Sequence, residues 1–434
     1  MIRTFRGGFH PEGNKQLTEK KAIVTLPAPK EVVIPMSQHI GAPCTPLVQV
    51  GDEVKMGQKI GEPSGFVSVP VHASVSGKVI AVENRPHTGL GTCMSVVIEN
   101  DFSDTVCDGI APVDVEKLSS KELIEAVKQA GIVGMGGATF PTFIKLSPPE
   151  GKKADCVILN GAECEPFLTA DHRVMLEHPE DVIDGLRIMM KILEVRRGYI
   201  ALEDNKKDAY ALLKEKCLNE PEIEVVLVKT KYPQGSEKQL IDAVLKREVK
   251  SGQLPIDAGV VVQNVASAAQ ISTSLRKNGM PLLSRVVTVS GSGVENPGNF
   301  LVRIGTPLSV LAEVAGVKEG IKKVLAGGPM MGVAQYTLDA PVIKGTSGLL
   351  FFTEKEYHHY EPQSCLRCGR CVKHCPMRLM PFMIMQNAEL NNLDGAVKYG
   401  LKDCMECGTC SYICPSRRHL VQTIRIAKSS LPKK

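Results

Sequence analysis

Eight of the chain's fourteen cysteines belong to two copies of one pattern. The first copy reads CLRCGRCVKHCP and begins at Cys365, and the second reads CMECGTCSYICP and begins at Cys404. Each copy has the spacing C-x2-C-x2-C-x3-C-P. Three thiolates on one short loop suit three corners of an iron–sulfur cube, and this spacing is typical of ferredoxins with two clusters. The repeated pattern therefore predicts two 4Fe–4S clusters.

The fourth cysteine of each copy determines the expected ligand sets. In two-cluster ferredoxins, the cysteine before the proline binds the cluster of the other copy. The predicted ligands are Cys365, Cys368, Cys371 and Cys414 for one cluster, and Cys404, Cys407, Cys410 and Cys375 for the other. A pair of zinc sites is the alternative, although zinc usually takes paired C-x2-C knuckles.

The surroundings of the cysteines support the cluster interpretation. Between the copies, the apolar spacing predicts two short helices that are broken near Asn391 and Asn392, as in α-helical ferredoxin domains. Residues 355–434 carry 13 basic and 6 acidic side chains, in a chain whose net charge is only +5. We interpret this basic charge as the counterpart of anionic clusters. With 4% aromatic residues and no Trp, a stacking surface for single-stranded nucleic acid is not expected.

A glycine-rich loop lies in the middle of the chain. Ser119 and Glu122 form a capping box that predicts a helix ending at Gly131. The loop GIVGMGGATF then leads to Pro141, which suits the first turn of another helix. Glycines before a helix N-terminus, with Lys145 one turn later, can bind a phosphate. A tight turn without a ligand is the alternative interpretation.

A short apolar run, Cys156–Leu159, precedes a polar loop that contains Asn160, Glu163 and Glu165. Two further apolar runs, Gly198–Leu202 and Glu224–Val228, alternate with helical stretches. This order predicts a largely parallel sheet, whose ligands bind at the carboxyl ends of the strands. Asn160 is therefore expected to contact a ligand, while the two glutamates could equally belong to a solvated loop.

Several of these stretches resemble known families. GIVGMGGATFPTFIKL, LNGAECEP, KYPQGSEKQLI and VVQNVASAAQI, in this order, resemble the flavin- and NADH-binding subunit of respiratory complex I. VTVSGSGVENPGNFLVRIGTPLSVLAE resembles a soluble ligand-binding β-grasp module. With FRGGFHPEGNK and HIGAPCTPLVQVGDEVKMGQKIGE near the start, and the two ferredoxin patterns, the chain is similar from end to end to the C subunits of Rnf electron-transport complexes.

The resemblance implies specific cofactor contacts. The implied residues are Gly134, Gly136 and Lys145 for the flavin phosphate; Asn160, Glu163 and Asn264 for the flavin ring and ribityl chain; and Phe140, Glu165 and Glu237 for the nicotinamide nucleotide. The chain departs from complex I at Val133 and Met135, where the complex I loop has arginines, and at Ala162, where it has an aspartate. These departures keep a flavin-free iron–sulfur relay open as an alternative.

The expected fold is a multidomain α/β and β protein. A lipoyl-like β-sandwich with an N-terminal segment is predicted for residues 1–112, and an FMN- and NADH-binding parallel-sheet domain for 113–280. A β-grasp module is predicted for 281–352, and an α-helical two-cluster ferredoxin domain for 353–434. In the sandwich, the stretch GEPSGFVSVP lacks the lysine that would carry a swinging cofactor, so a structural or docking role is expected.

The resemblance also implies a function. We expect a peripheral subunit of a membrane-bound, ion-translocating ferredoxin:NAD+ oxidoreductase complex, in which FMN exchanges electrons with NAD(H) and two clusters pass them to partner subunits. A cobalamin reductase of the propanediol-utilisation type is an alternative. Neither a run of about 18 apolar residues nor a signal-peptide pattern is evident, so the chain is expected at the cytoplasmic side of the membrane without a span of its own. No nucleic-acid partner is expected.

Overall fold

The computed structural model describes residues 2–432. Its strands are β1 (Ile23–Thr25), β2 (Glu31–Pro35), β3 (Cys44–Pro46), β4 (Glu53–Val54), β5 (Lys59–Pro63), β6 (Val71–His72), β7 (Gly77–His87), β8 (Gly91–Asn100), β9 (Cys156–Gly161), β10 (Gly198–Glu203), β11 (Ile223–Val228), β12 (Val260–Asn264), β13 (Ser284–Ser290), β14 (Gly298–Arg303), β15 (Lys323–Ala326), β16 (Val333–Ala334) and β17 (Gly348–Phe352). Its α-helices are α1 (Ser120–Gln129), α2 (Thr142–Lys145), α3 (Ala170–Glu177), α4 (Pro179–Leu193), α5 (Lys207–Lys216), α6 (Glu237–Leu245), α7 (Val265–Ser272), α8 (Leu308–Ala315), α9 (Arg370–Lys373), α10 (Pro381–Glu389), α11 (Leu393–Lys398), α12 (Thr409–Tyr412) and α13 (Leu420–Ser429).

The middle of the chain forms a four-stranded sheet in the order β11-β10-β9-β12, and all its strands are parallel. The strands are apolar and buried because helices cover both faces. Val157 and Leu159 pack into the core on one face, whereas Ile158 packs into the core on the other. The predicted strands and the parallel sheet are thus confirmed. All the strands end at the same edge of the sheet, and this edge carries the candidate site.

The helices around the glycine-rich loop follow the prediction in part. The capping box is present, since Ser119 N donates to Glu122 Oε2 at 2.8 Å and Glu122 N donates to Ser119 Oγ at 3.4 Å. Helix α1 ends at Gln129, and Gly131 then takes a φ of +66°. The helix after Pro141 is only one turn, α2, and Pro148 and Pro149 follow it closely. Because a proline disfavours helical backbone in the residue before it, α2 does not extend further. A helix this short has only a small macrodipole with which to attract a phosphate.

Two antiparallel sheets form the N-terminal sandwich. One sheet has the order β2-β8-β7-β4 and the other β3-β5-β6. Alternate residues of the strands, such as Val32, Ile34, Val96 and Ile98, fill the core between the sheets. This confirms the expected sandwich.

A mixed six-stranded sheet has the order β1-β14-β13-β17-β15-β16. Strand β1 lies parallel to β14, although β1 comes from the predicted N-terminal range. The predicted range 1–112 thus contributes one strand to the sheet of the predicted range 281–352. The boundaries of the four domains stay a prediction. The outermost residues of the first and last ranges lie outside the described part of the chain.

Helices α10 and α11 carry the region between the cysteine patterns. Asn391 has a φ of +54°, and the Asn392 side chain accepts a hydrogen bond from Gly395 N at 3.0 Å, which starts α11. The predicted break near these two residues is thus confirmed. Between residues 2 and 432, no helix is both long and apolar enough to span a membrane.

Candidate functional site

Two asparagines mark the carboxyl edge of the parallel sheet. Asn160 lies near the end of β9 and Asn264 ends β12, and the two are partners in the strand register. Asn160 Nδ2 donates to Gly235 O at 2.7 Å. Asn264 Oδ1 accepts from Ala266 N at 2.8 Å and caps α7, while its Nδ2 donates to Asp171 Oδ2 at 2.7 Å. Both predicted residues therefore lie at the edge where a ligand of this fold binds.

The glycine-rich loop lies over this edge. Gly134 N donates to Phe140 O at 2.8 Å and closes the loop. A β-carbon at Gly136 would lie 3.0 Å from Asn264 Nδ2, whereas one at Gly137 would meet nothing within 4 Å. Gly136 therefore lets the loop backbone approach Asn264 closely. The two positions that lack the complex I arginines, Val133 and Met135, are buried in the core.

Glu163 and Glu165 lie on the loop after β9, and their carboxylates have different partners. The Glu163 carboxylate accepts from Asp171 N at 2.7 Å, at the start of α3. The Glu165 carboxylate accepts from Met330 N and Met331 N, both at 3.0 Å, in the turn after β15. Burial raises the pKa of Glu165 to about 7, although the two N–H groups oppose the shift. Both side chains are half-buried and accept hydrogen bonds from backbone N–H groups, so they do not belong to a solvated loop.

Asp171 is a further acidic residue of the site, although the sequence did not indicate it. Its carboxylate accepts the hydrogen bond from Asn264 Nδ2. Burial and the nearby charge of Glu163 raise the pKa of Asp171 to about 7, and the Arg285 guanidinium and the Asn264 amide partly offset this. Asp171 lies in the first turn of α3, a few residues after Glu163 and Glu165, and this closeness in sequence could have drawn attention to it.

Three buried cationic side chains bind backbone carbonyls of the loop after β9 and of the glycine-rich loop. Lys15 Nζ donates to the carbonyls of Glu163, Glu165 and Leu168. Lys206 Nζ donates to Ala162 O at 2.6 Å. The Arg285 Nε donates to Thr346 O at 3.0 Å, and its guanidinium also donates to the Met135 carbonyl. Burial lowers the pKa of Lys15, and that of Arg285 to about 10. None of the three was identified from the sequence.

Lys145 and Glu237, predicted to contact different cofactors, are paired with each other. Lys145 Nζ contacts the Glu237 carboxylate and also donates to Val262 O at 3.0 Å. The carboxylate would therefore compete with any phosphate for Lys145. Phe140 is half-buried at the end of the glycine-rich loop.

The eight cysteines surround two pockets. The inner pocket is lined by Cys375, Cys404, Cys407 and Cys410, and the outer pocket by Cys365, Cys368, Cys371 and Cys414. These are the groupings that the sequence pattern predicts, although their role as ligands stays a prediction. All eight cysteines are free of disulfide bonds. Four sulfurs around one cavity are the donor set that a 4Fe–4S cluster requires.

The inner pocket lies against the parallel-sheet domain of residues 113–280. The Tyr232 hydroxyl, buried after β11, donates to Cys407 O at 2.8 Å. Gln239 Nε2 donates to Pro376 O at 3.1 Å. The N-terminal segment also contacts this region, since Gly8 N donates to His374 O at 2.9 Å. By contrast, Cys365 and Cys368 of the outer pocket are exposed. The two pockets thus have different environments although their sequence patterns are the same.

Four family models match the chain, and together they cover most of it. They are the RnfC barrel sandwich hybrid domain (residues 3–103), the Nuo51 FMN-binding domain (127–273), the SLBB domain (286–334) and the 4Fe–4S dicluster domain (358–415). Each match falls on the part of the chain for which the corresponding fold was expected. The predicted fold class is thereby confirmed.

Three relatives match nearly the whole of this chain. The chain is 51% identical over 430 residues to the C subunit of the Na+-translocating ferredoxin:NAD+ oxidoreductase complex of Acetobacterium woodii, covering 99% of this chain and 97% of the relative. It is 49% identical to the C subunit of the proton-translocating ferredoxin:NAD+ oxidoreductase complex of Clostridium ljungdahlii, covering 99% and 94%. It is 41% identical to the C subunit of the ion-translocating oxidoreductase complex of Rhodobacter capsulatus, covering 99% and 83%.

A solved structure shows a similar fold. An NAD+-reducing [NiFe]-hydrogenase in the air-oxidised state superposes with a TM-score of 0.54 at 17% identity, covering 72% of this chain and 63% of that chain. At this identity the similarity concerns the fold alone. The cysteine pockets and the site at the sheet edge agree with what the three relatives show. The chain belongs to the family of C subunits of ion-translocating oxidoreductase complexes.

Proposed function

We propose that the chain is the electron-transfer subunit through which an ion-translocating ferredoxin:NAD+ oxidoreductase complex exchanges electrons with NAD(H). One observation carries this proposal most directly. The Tyr232 hydroxyl bonds the backbone of the inner cysteine pocket, and Gly235, three residues later, bonds Asn160 at the edge of the parallel sheet. The segment from Tyr232 to Gly235 therefore connects the inner cysteine pocket to the edge of the parallel sheet, where we place the nucleotide. Electron transfer between a flavin and a cluster requires such a short connection.

The residues of the cleft fit a flavin nucleotide. Gly136 leaves room that a β-carbon would fill, directly over Asn264. Amide and carboxylate groups converge beside it, and they can form hydrogen bonds to a polar ring and a ribityl chain. Because Val133 and Met135 pack into the core, the lost arginines do not remove charge from the cleft surface of this structure. When bound, a flavin supplies the conversion between a hydride and single electrons.

The residues implied by the resemblance then divide between the flavin and the nicotinamide nucleotide. Gly134 and Gly136 are assigned to the flavin phosphate, and Asn160, Asn264 and Glu163 to the flavin ring and ribityl chain. Glu165, Phe140 and Glu237 are assigned to the nicotinamide nucleotide. A carboxylate near the nucleotide can accept hydrogen bonds from ribose hydroxyls, and the two backbone donors at Met330 and Met331 fix Glu165 for such a contact.

Lys145 is assigned to the phosphate with one condition. Its ammonium is held by Glu237 and by the Val262 carbonyl in the structure. It can reach a phosphate only if it exchanges the Glu237 contact for the phosphate contact. A binding change of this kind would also release Glu237 for the nucleotide.

The two pockets suggest an order for electron transfer. The inner pocket contacts the parallel-sheet domain, so its cluster exchanges electrons with the flavin. The outer pocket has exposed Cys365 and Cys368, with exposed Arg367, Arg370 and Lys373 around it. An exposed cluster beside basic side chains suits a redox partner with an acidic surface. We therefore assign the outer pocket to the partner subunits of the complex.

Partner subunits also account for the membrane location. The relatives are subunits of ion-translocating complexes, and we assign the chain to the cytoplasmic side of the membrane as a peripheral subunit. The complexes of Acetobacterium woodii and Clostridium ljungdahlii are named for ferredoxin and NAD+, which are soluble electron carriers, and this supports that side.

Cofactor analysis of anaerobically purified protein tests the proposal. We expect about eight iron atoms and about eight sulfides per chain, as two 4Fe–4S clusters require, together with one releasable FMN. Reduction of the bound flavin by NADH should be visible as bleaching near the flavin absorption maximum. Protein that binds iron but no FMN under reducing, anaerobic conditions would support the flavin-free relay and defeat the proposal.

A further inference from the structure

The acidic loop, residues 162–168, is held by a lysine from the N-terminal segment. We propose that Lys15 is a positioning residue that sets the orientation of Glu163 and Glu165 in the nucleotide cleft. This inference rests on the proposed function, and it assigns to the N-terminal segment a role in cofactor and nucleotide binding.

The contacts of Lys15 are unusually complete. Its Nζ donates to Glu163 O at 2.9 Å, to Glu165 O at 3.0 Å and to Leu168 O at 2.5 Å. An ammonium group has three donors, so these three carbonyls use all of them. Lys15 is only 7% exposed, and therefore it is not a surface side chain that happens to reach the loop. Because its donors are occupied by backbone, Lys15 does not itself bind substrate.

The acidic loop has a backbone that needs such support. Glu163 has a φ of +48° and Phe167 a φ of +68°, a left-handed conformation that is costly for residues with side chains. The turns at these positions direct the carbonyls of Glu163, Glu165 and Leu168 inward to one point. Without Lys15, three carbonyl groups would face each other in a buried space without a donor.

The same N-terminal segment holds the loop at two more places. Phe167 N donates to Gly13 O at 2.7 Å, and the hydroxyls of Thr18 and Thr169 lie 2.7 Å apart in a hydrogen bond. Thr169 Oγ1 in turn donates to Asn299 Oδ1 at 2.9 Å. These contacts anchor the end of the loop, whereas the Lys15 ammonium binds the carbonyls of both glutamates.

The carboxylates depend on this backbone for their direction. Glu163 bonds the start of α3, and Glu165 bonds the turn after β15, so the two side chains leave the loop in different directions. A rotation of the loop would break both sets of contacts. Removing Lys15 should therefore misplace the carboxylates without touching the cysteine pockets.

The test uses Lys15→Met, which keeps the length of the side chain and removes its donors and charge. Lys21→Met is the matched control, because Lys21 lies on the same N-terminal segment as Lys15 but is exposed and away from the acidic loop. The Lys21 Nζ also donates to a backbone carbonyl, that of Pro297, at 2.7 Å. FMN dissociation constants are measured by flavin fluorescence and NAD+ dissociation constants by titration, on full-length, anaerobically purified protein. Iron content and thermal unfolding are measured for each variant.

We expect Lys15→Met to weaken NAD+ and FMN binding about tenfold or more, with iron content unchanged, and Lys21→Met to match the parent protein. Lys15→Arg keeps the charge and several donors, and it should restore part of the lost affinity. A variant that loses iron and flavin in equal proportion would show a general structural role and overturn the inference. Unchanged affinities in Lys15→Met would overturn it too. Failure of the unmodified protein to bind FMN would instead refute the proposed function.

Discussion

Replacement of Gly136 by alanine tests the close approach of the glycine-rich loop to Asn264. A β-carbon at this position would lie 3.0 Å from Asn264 Nδ2 and 3.6 Å from its Cγ. Ordinary contacts of a β-carbon begin near 3.4 Å, so the amide or the loop must move by a few tenths of an ångström. Gly136 does not have a positive φ, and the effect is therefore one of contact and not of backbone strain.

The size of the effect follows from what Asn264 holds. Its Nδ2 donates to the Asp171 carboxylate at 2.7 Å, and its Oδ1 caps α7 through Ala266 N. A hydrogen bond to a charged group contributes about 1.5–3 kcal/mol, and a helix cap about 1 kcal/mol. Partial loss of both contacts should cost about 1–3 kcal/mol of stability. Flavin binding requires Asn264 in its present position, and returning the displaced side chain there against the same cost would lower the flavin affinity by about 5-fold to about 150-fold.

The assay is the titration of flavin-depleted protein with FMN, followed by fluorescence quenching, with iron content measured in parallel. Gly89→Ala is the matched control, since a β-carbon there has no contact nearer than 3.9 Å and the residue lies in the β7–β8 hairpin. We expect the control to bind FMN like the parent protein and Gly136→Ala to bind it more weakly with normal iron. If Gly136→Ala binds FMN as tightly as the control does, the loop does not form the flavin site over Asn264.

Three further outcomes are expected. Cys375→Ala should remove the cluster of the inner pocket and Cys414→Ala that of the outer pocket, each leaving about four iron atoms; electron paramagnetic resonance spectra that show the opposite pairing would refute the ligand exchange between the patterns. Asp171→Asn should change the pH dependence of stability. Because the pKa of Asp171 is raised to about 7 in the folded protein, from its usual value near 4, the parent protein loses stability as the pH rises from about 4 to about 7, where the unfolded chain has released this proton and the folded protein retains it. The variant should lose less, and thermal unfolding at pH 5 and pH 8 measures the difference; equal slopes would argue against a raised pKa of Asp171. High-salt washing should release the chain only partly from native membranes, and vesicles of anionic lipid alone should bind it poorly, because a subunit interface also buries apolar surface; binding to such vesicles as tight as to native membranes would identify lipid as the anchor.

Local sequence predicted the elements that depend on local physics. The apolar run at Cys156–Leu159 predicted β9, and helix formers around an asparagine pair predicted α10 and α11. Asn160 could be placed at the sheet edge because a polar residue directly after a buried strand has few other positions. The short length of α2 was also visible in the sequence, since Pro148 and Pro149 exclude a longer helix, but the expected helix start at Pro141 obscured it.

The rest of the site depends on contacts between distant parts of the chain. Lys15 lies 150 residues before Glu165, and Arg285 lies 150 residues after Met135. No periodicity or spacing relates residues at such separations, because the chain between them can adopt many paths. Burial raises the pKa values of Glu165 and Asp171, and burial is likewise a property of the assembled cleft and not of the local sequence.

The two cysteine patterns have the same local backbone but different surroundings in the folded protein. Both copies have the same spacing, and even the strained positions correspond, since Arg367 and Glu406 take φ values of +52° and +58°. Their surroundings differ, because Glu406 pairs with Arg425 at 3.2 Å and Lys428 at 3.0 Å beside the inner pocket.

Exposure then distinguishes the clusters electrochemically. Reduction adds negative charge to a cluster that is already anionic, and burial opposes this more strongly than water does. Cys375, Cys407 and Cys410 of the inner pocket are at most 8% exposed, whereas Cys365 and Cys368 of the outer pocket are exposed. The outer cluster should therefore have the higher reduction potential, so that the transfer of an electron from the inner cluster to the outer cluster is energetically downhill. A redox titration followed by electron paramagnetic resonance, with Cys375→Ala and Cys414→Ala to assign the signals, measures this order directly. An inner cluster that is reduced at the higher potential would show that nearby charges such as Arg425 and Lys428, and not exposure, determine the difference.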